Sequence, residues 1–498
     1  MRLRLVTAAA LVALLSACGS KKSGLQQTSA ALTCDNVVQA PIPEFVTSGM
    51  VLDLGTQPVG ANLQFTIPAG TSSFVIVSQE VGRTAPASIT FSGMTIPNAV
   101  VPKILTGPDG TVYYNDFISP PNVSIGGSTY RYPDATGWLA VDQGFQPVLG
   151  VLPFPTTSGG LGKLQSVGQV EPGTWTFTLN DWAFDCPFQG CTGSPHGGQY
   201  RVQVVTRPSP GGAAGPIPKA GTLDVEVYLA TDPDPSLSLL PNAAAADPSR
   251  NALTARWKAT LGQYLSKVGI TLGNVTFHDL PASVLSKYAP NGDVNVQSDD
   301  PCGPLDQLFT NATVPSRAVN VFLADSLVAS SMGSSFRVAG VDGSIPGPSG
   351  YPGTIASGAI VGLEDLGVQH APGACSGPTN LATCGTDDVA YVTAHEIGHW
   401  LGLFHTTEMD GTFFDVLTDT PPCLCFECAA SADKPACSEV PKSKGTTTVT
   451  NSLCVPPAPS ATCGGGDNLM FWLLDPRYSK GVLSLQQGQV MLLNPAVR

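Results

Sequence analysis

The sequence predicts a multidomain chain: an N-terminal all-β sandwich, jelly-roll-like, followed by an α+β domain. Three observations carry this. At 498 residues the chain exceeds what one hydrophobic core usually organises. From residue 45 to 208, short apolar segments alternate with Gly- and Pro-rich turns. Beyond a Pro/Gly stretch from Arg207 to Lys219, strand-like and helix-like segments mix. The domains are therefore set at 45–208 and 220–498, with a linker at 209–219. Charged residues make up only 12% while Gly (54) and Pro (44) are plentiful, which favours short strands and turns over long charged helices.

Within the first domain the strands are Asn62–Ile67, Ser73–Val77, Thr174–Leu179 and Tyr200–Val205, read with a period of two. Pro172-Gly173 forms the turn that feeds the strand holding Trp175. His196, the only histidine here, sits in a Gly-rich turn and reads as a loop residue. In the second domain Thr222–Ala230 is a strand with Leu223, Val225, Val227 and Leu229 on one face. Asn251–Val268 has helical period, with Leu253, Trp257, Leu261 and Leu265 on one stripe. Ala318–Ala324 and Ala359–Leu363 are strands, and 339–357 reads as a Gly/Pro/Ser-rich loop.

The N-terminus reads as an export signal. Arg2 and Arg4 precede an apolar run from Leu5 to Leu15, too short for a bilayer span of roughly 20 residues. Leu15-Ser16-Ala17-Cys18-Gly19 resembles a bacterial lipobox. That resemblance implies a signal peptide at 1–17, a lipid on Cys18, a tether at 18–44 and a place in the cell envelope, at the outer membrane or cell surface. An ordinary secretory signal with a chance cysteine is the competing reading. Twelve further cysteines, an even number in an exported chain, read as up to six disulfides. Cys186/Cys191 and Cys375/Cys384 are spaced as local pairs. The Cys423–Cys428 group reads as disulfide cysteines rather than a metal knuckle. A formal net charge of -13 without a basic stripe excludes nucleic acid as a partner.

The chemistry concentrates in His395-Glu396-Ile397-Gly398-His399-Trp400-Leu401-Gly402-Leu403-Phe404-His405. Thr386 is placed to cap a helix whose first turn holds Asp387 and Asp388. His395 and His399 are four residues apart and so share a helix face. Gly402 lets the chain leave the helix, and His405 returns as a third nitrogen ligand. Three ligands leave a fourth position for water, the pattern of a catalytic zinc site. Glu396 follows the first ligand, where it can act as general base on that water. A buried helix that merely contains two histidines is the bland alternative. Three of the chain's six histidines inside eleven residues weigh against it. His278 and His370 lie outside the motif and read as structural or surface residues.

These residues resemble the metzincin clan of zinc metallopeptidases. The run His399 to Thr406, the segment Asp415 to Pro421, the tetrad Asp467-Asn468-Leu469-Met470 and the segment Leu483 to Met491 resemble the pappalysin (cytophagalysin) family in particular. The likeness covers residues 220–498 and leaves the N-terminal half untouched. It implies a two-part catalytic domain: an upper part to residue 405 with a twisted mixed sheet and the active-site helix, and a lower part at 406–498. It implies Met470 as the apolar support beneath the metal. It also implies calcium near Asp415 and Asp419, with Glu408 close by, against which a solvated acidic loop stands as the alternative. Ser484 and Gln487 form a capping box on physical grounds. One departure matters: where family members often carry a tyrosine two residues after the Met-turn methionine, this chain has Trp472. No transition-state role is assigned to it. Tyr478 has no motif to support it.

The expected activity is therefore endopeptidase action on extracellular protein or peptide, by a monomer with zinc and a membrane anchor at Cys18. A surface binding or adhesion lipoprotein, with the sandwich as the recognition module, is the alternative. An intact Glu396 speaks against a purely binding role. A zinc hydrolase acting on something other than peptide is a third.

Overall fold

A computed structural model describes residues 51–81, 100–115, 149–155, 158–181, 198–296, 303–314, 316–331, 334–408, 417–423, 449–455 and 464–498. It also describes short strands at 88–91, 94–97, 122–125, 128–131 and 145–146, and the single residues Phe414, Asp415 and Cys428. The signal peptide, Cys18, the tether, Cys186, Cys191 and His196 lie outside the described residues. The chain is mixed α/β with several sheets. Among the described residues no helix is long and apolar enough to cross a membrane.

The N-terminal unit runs through β1 (Val51–Pro58), β2 (Asn62–Ile67), β3 (Thr71–Glu80), β4 (Val100–Thr106), β5 (Val112–Asn115), β6 (Phe145–Gln146), β7 (Leu149–Phe154), α1 (Ser158–Val167), β8 (Gly173–Asp181) and β9 (Gln199–Pro208). Two antiparallel sheets form, in the orders β1-β9-β3-β7-β6 and β2-β8-β4-β5. β2 alternates exposed and buried, so Leu63, Phe65 and Ile67 face inward. They meet Phe74, Ile76, Trp175, Phe177, Val202 and Val204 in one core. Phe74 stands edge-on to Trp175 with ring centroids 5.1 Å apart, a favourable aromatic geometry.

Two expectations need correction here. β3 is not a half-exposed strand of period two: all ten of its residues are buried. Its continuous Phe74-Val75-Ile76-Val77 run reflects burial on both faces. Nor is the unit all-β. α1 sends Leu161 and Leu164 into the core, and its weak amphipathic signal is hidden among glycines.

The C-terminal unit begins with β10 (Gly221–Ala230), α2 (Ala252–Ser266), β11 (Ile270–Asp279), β12 (Val319–Ala324), β13 (Gly340–Asp342) and β14 (Ala359–Gly362). It ends with α3 (Gly385–Trp400) and α4 (Leu485–Leu493). The sheet order is β11-β10-β12-β14-β13. The first four strands are parallel, and β13 runs antiparallel at the edge. All six residues of β12 are buried, as befits a parallel strand covered on both faces. α2 starts where Asn251 Oδ1 accepts from the Leu253 backbone N–H at 2.9 Å. It packs on α3, where Trp257 Nε1–H donates to Thr393 Oγ1 at 3.0 Å. The stretch expected as loop at 339–357 thus opens with a strand, too short for a period to be legible.

Candidate metal centre

α3 begins at Gly385, not after a Thr386 cap. Cys384 is the capping residue, and Thr386 lies inside the first turn with its hydroxyl accepting from the Gly367 N–H at 3.2 Å. A Cβ on Gly385 would lie 2.1 Å from the Asp365 carbonyl oxygen, so only glycine lets the helix start this close to that loop. The expected Cys375–Cys384 disulfide is formed and ties down the approach to the helix. Asp387 and Asp388 occupy the first turn as anticipated. Asp387 is fully buried and held by Arg256, Nε to Oδ1 at 2.8 Å and Nη2 to Oδ2 at 2.7 Å.

Helical register places His395 and His399 on one face, one turn apart. After the helix, Gly402 adopts φ +111°, a conformation that other residues rarely take. The chain then reverses and delivers His405. The three Nε2 atoms meet at mutual distances of 3.0, 3.1 and 3.1 Å.

The far side of each ring fixes its protonation. His395 Nδ1 lies 2.6 Å from the Leu469 carbonyl oxygen and His399 Nδ1 lies 2.7 Å from that of Leu403. His405 Nδ1 lies 3.0 Å from Glu408 Oε1. Carbonyl and carboxylate oxygens only accept, so each Nδ1 carries the hydrogen and donates. In a neutral imidazole the Nε2 is then bare. Three converging lone pairs cannot hydrogen-bond one another, whereas a cation between them satisfies all three. Burial, with His405 close by, holds His395 down at about 3. Burial, with both neighbouring histidines, also holds His399 well below its ordinary value. Neutral rings are the ligand form. Three corners of a tetrahedron with 2.0–2.1 Å bonds lie about 3.3 Å apart, so the donor set fits a small metal ion. His399 and His405 are buried.

Met470 is completely buried beneath the helix. A Cβ on Gly398 would come within 2.5 Å of its sulfur, so glycine at this point of the motif lets methionine and helix close up. The turn is bound on two sides: Thr406 N–H donates to the Met470 carbonyl at 3.0 Å, and Tyr391 OH to that of Asn468 at 3.1 Å. Trp472 gives its indole N–H to the Val449 carbonyl at 2.8 Å, which leaves it no donor for the centre.

Glu396 lies beside the centre. A Cβ on Gly340 of β13 would come within 2.5 Å of Glu396 Oε1. Two residues along the same face, Asp342 brings a carboxylate oxygen within 4.8 Å of donor atoms of Glu396 and His399. Burial first, then the Asp342 charge, pushes the Glu396 carboxyl well above its usual range. A dication at the three nitrogens acts in the opposite sense. Sequence reasoning missed Asp342 entirely, because no motif joins it to Glu396, more than fifty residues further along the chain. Glu408, expected in the acidic loop, orients His405 instead, and its place three residues after that histidine is the signal that points to it.

Among the described residues, Asp415 and Asp419 belong to no group of three acidic, His or Cys side chains able to share an ion. Asp419 instead accepts from Ser484 Oγ at 2.7 Å and from the Gln486 N–H at 2.9 Å, at the start of α4. Asp415 is buried, and its Oδ1 accepts from the Thr420 hydroxyl. The Ser484–Gln487 capping box is present. His278 lies 2.6 Å from Glu226 and stacks on Tyr228, while His370 is exposed; neither reaches the centre. Cys423 is bonded to Cys454, so it is no thiolate ligand. No family model matches the chain, and no curated protein matches it.

Proposed function

We propose that this chain is a zinc-dependent endopeptidase of metzincin type, related to the pappalysins, that cleaves extracellular proteins or peptides. The observation that carries the reading is the convergence of three Nε2 atoms, each ring oriented by an acceptor at Nδ1, beside a buried glutamate. His395, His399 and His405 would hold zinc, which when bound lowers the pKa of a coordinated water and polarises a scissile carbonyl. Glu396 would serve as the base that accepts a proton from the attacking water and passes it to the leaving amine. Gly340 and Asp342 flank Glu396 and limit where its carboxylate can go. Edge strand β13 offers backbone groups for pairing with an extended peptide. In this reading the N-terminal unit is a jelly-roll-like sandwich, the C-terminal unit a metzincin catalytic domain. Cys18 carries the lipid that anchors a monomer to the envelope.

Metal analysis of the purified chain, with cleavage of a denatured protein by wild type and Glu396→Ala, tests this. Stoichiometric zinc with Glu396-dependent cleavage is expected. Bound zinc without such cleavage would overturn the peptidase reading.

A further inference from the structure

We infer that the N-terminal two-sheet unit is a standing part of the metal centre, not a removable segment, and that Asn494 relays its support to the turn that brings in His405. The inference rests on the proposed function for what the centre does, but its geometry is independent of it.

The first link is the sheet face turned away from the unit's own core. Val75, Val77, Leu149, Val151 and Val205 lie in one buried apolar cluster with Tyr351 and Ala356 of the C-terminal unit. An antiparallel sheet that faces water is polar on that face; this one is apolar and covered. Tyr351 OH donates to Gln203 Oε1 across the contact. Two further groups of the same sheet reach the last residues of the chain. Ser73 Oγ donates to the Leu493 carbonyl, and Arg207 Nε to the Val497 carbonyl at 3.0 Å. Arg207 is buried, so its carbonyl partner offsets a large loss of hydration.

The second link runs from these segments to α3. Its final carbonyls have no partner within the helix. Asn494 Nδ2 donates to the Leu401 carbonyl at 3.3 Å, and Asn494 Oδ1 accepts from Ser349 Oγ at 2.8 Å. Gly347 N–H donates to the Trp400 carbonyl at 2.9 Å, and Ile345 packs on Phe404. Residues 400–404 join the second ligand to the third. The support of that turn therefore passes from β3 and β9, through 345–351 and 493–497, to within a residue of His405. A detachable module would meet its partner through a polar, separable surface. Here one apolar core runs through both units and includes Ile217 of the expected linker, while 210–214 stay exposed.

The test uses the full chain with a specific protease site placed at 211–214 and loaded with cobalt(II) or zinc. After cutting, the two pieces are expected to co-elute on gel filtration in native buffer and to keep the ion. In the uncut chain, Asn494→Asp keeps the side chain's size and its acceptor but removes the donor to Leu401. It and Arg207→Met are expected to speed transfer of the ion to a chelator by about tenfold, the low end for loss of an outer support. Gln165→Ala, at an exposed contact with Gln489, is expected to leave the rate unchanged. Circular dichroism confirms folding of each variant. Spontaneous separation of the cut pieces with the ion on the C-terminal one overturns the inference. So does parental release from both Asn494→Asp and Arg207→Met. A parent chain that takes up neither ion overturns the peptidase reading instead, and the co-elution arm still decides whether the unit stays attached.

Discussion

His405 Nδ1 lies 3.0 Å from Glu408 Oε1, and both residues are buried. The last histidine of the motif is thus oriented by a carboxylate, while the other two use backbone carbonyls. A carboxylate behind a histidine raises its basicity as a ligand and fixes the tautomer. Glu408→Gln is expected to weaken metal binding about 10–100-fold, measured by chelator competition. Glu396→Gln, next to the centre but not oriented onto a ligand ring, should bind metal as the parent does. Equal affinities for parent and Glu408→Gln would remove this role.

Gly340 supplies a separate handle on the glutamate. An added methyl group there meets Glu396 Oε1 at 2.5 Å and Glu396 Cγ at 2.8 Å. Gly340→Ala should therefore displace the base and leave the three histidines in place. Peptide hydrolysis is expected to fall about a hundredfold in kcat, the scale of a misplacement near 1 Å, with metal content unchanged. Unaltered kcat would show that Glu396 moves without consequence.

Asp388 makes stability depend on pH. Burial, with Asp365 and Asp387 nearby, pushes its carboxyl from 3.8 to about 8. Between those values the folded chain holds a proton that the unfolded chain has released. Stability therefore falls as pH rises through this window, with the full penalty above pH 8. Asp388→Asn removes it. The gain in unfolding free energy over the parent, followed by urea denaturation across pH, should be absent near pH 4 and greatest near pH 9, on the order of 2 kcal/mol. A gain independent of pH would rule out titration of this group as the cause.

Arg256 is the counter-charge for the other acid of that turn. Besides Asp387, its Nη1 donates to the carbonyls of Cys375 and Gly377 at 2.7 and 2.8 Å. Arg256→Met leaves a buried carboxylate unpaired and loosens the disulfide loop before α3. A loss of about 3–5 kcal/mol is expected in urea denaturation. Adding Asp387→Asn should recover part of it; no recovery would place the effect in packing.

The eleven residues from His395 to His405 were enough to name three histidines whose rings the fold brings together, because helical periodicity and one glycine set their directions. The strands Asn62–Ile67 and Thr222–Ala230, the helical period of Asn251–Val268 and the capping box at Ser484 were also legible, since each rests on local period or local capping. Tertiary structure decided the rest. Asp342 comes to Glu396 because an antiparallel edge strand crosses the helix, a long-range pairing that no local pattern encodes. β3 is buried on both faces because a second unit covers it, so its apolar run looked like half of a sandwich. Asp419 went to a helix start and Glu408 to a histidine because carboxylates take whichever donors the fold brings near. The sequence settles which atoms can bind a metal; packing between distant segments settles what holds those atoms still.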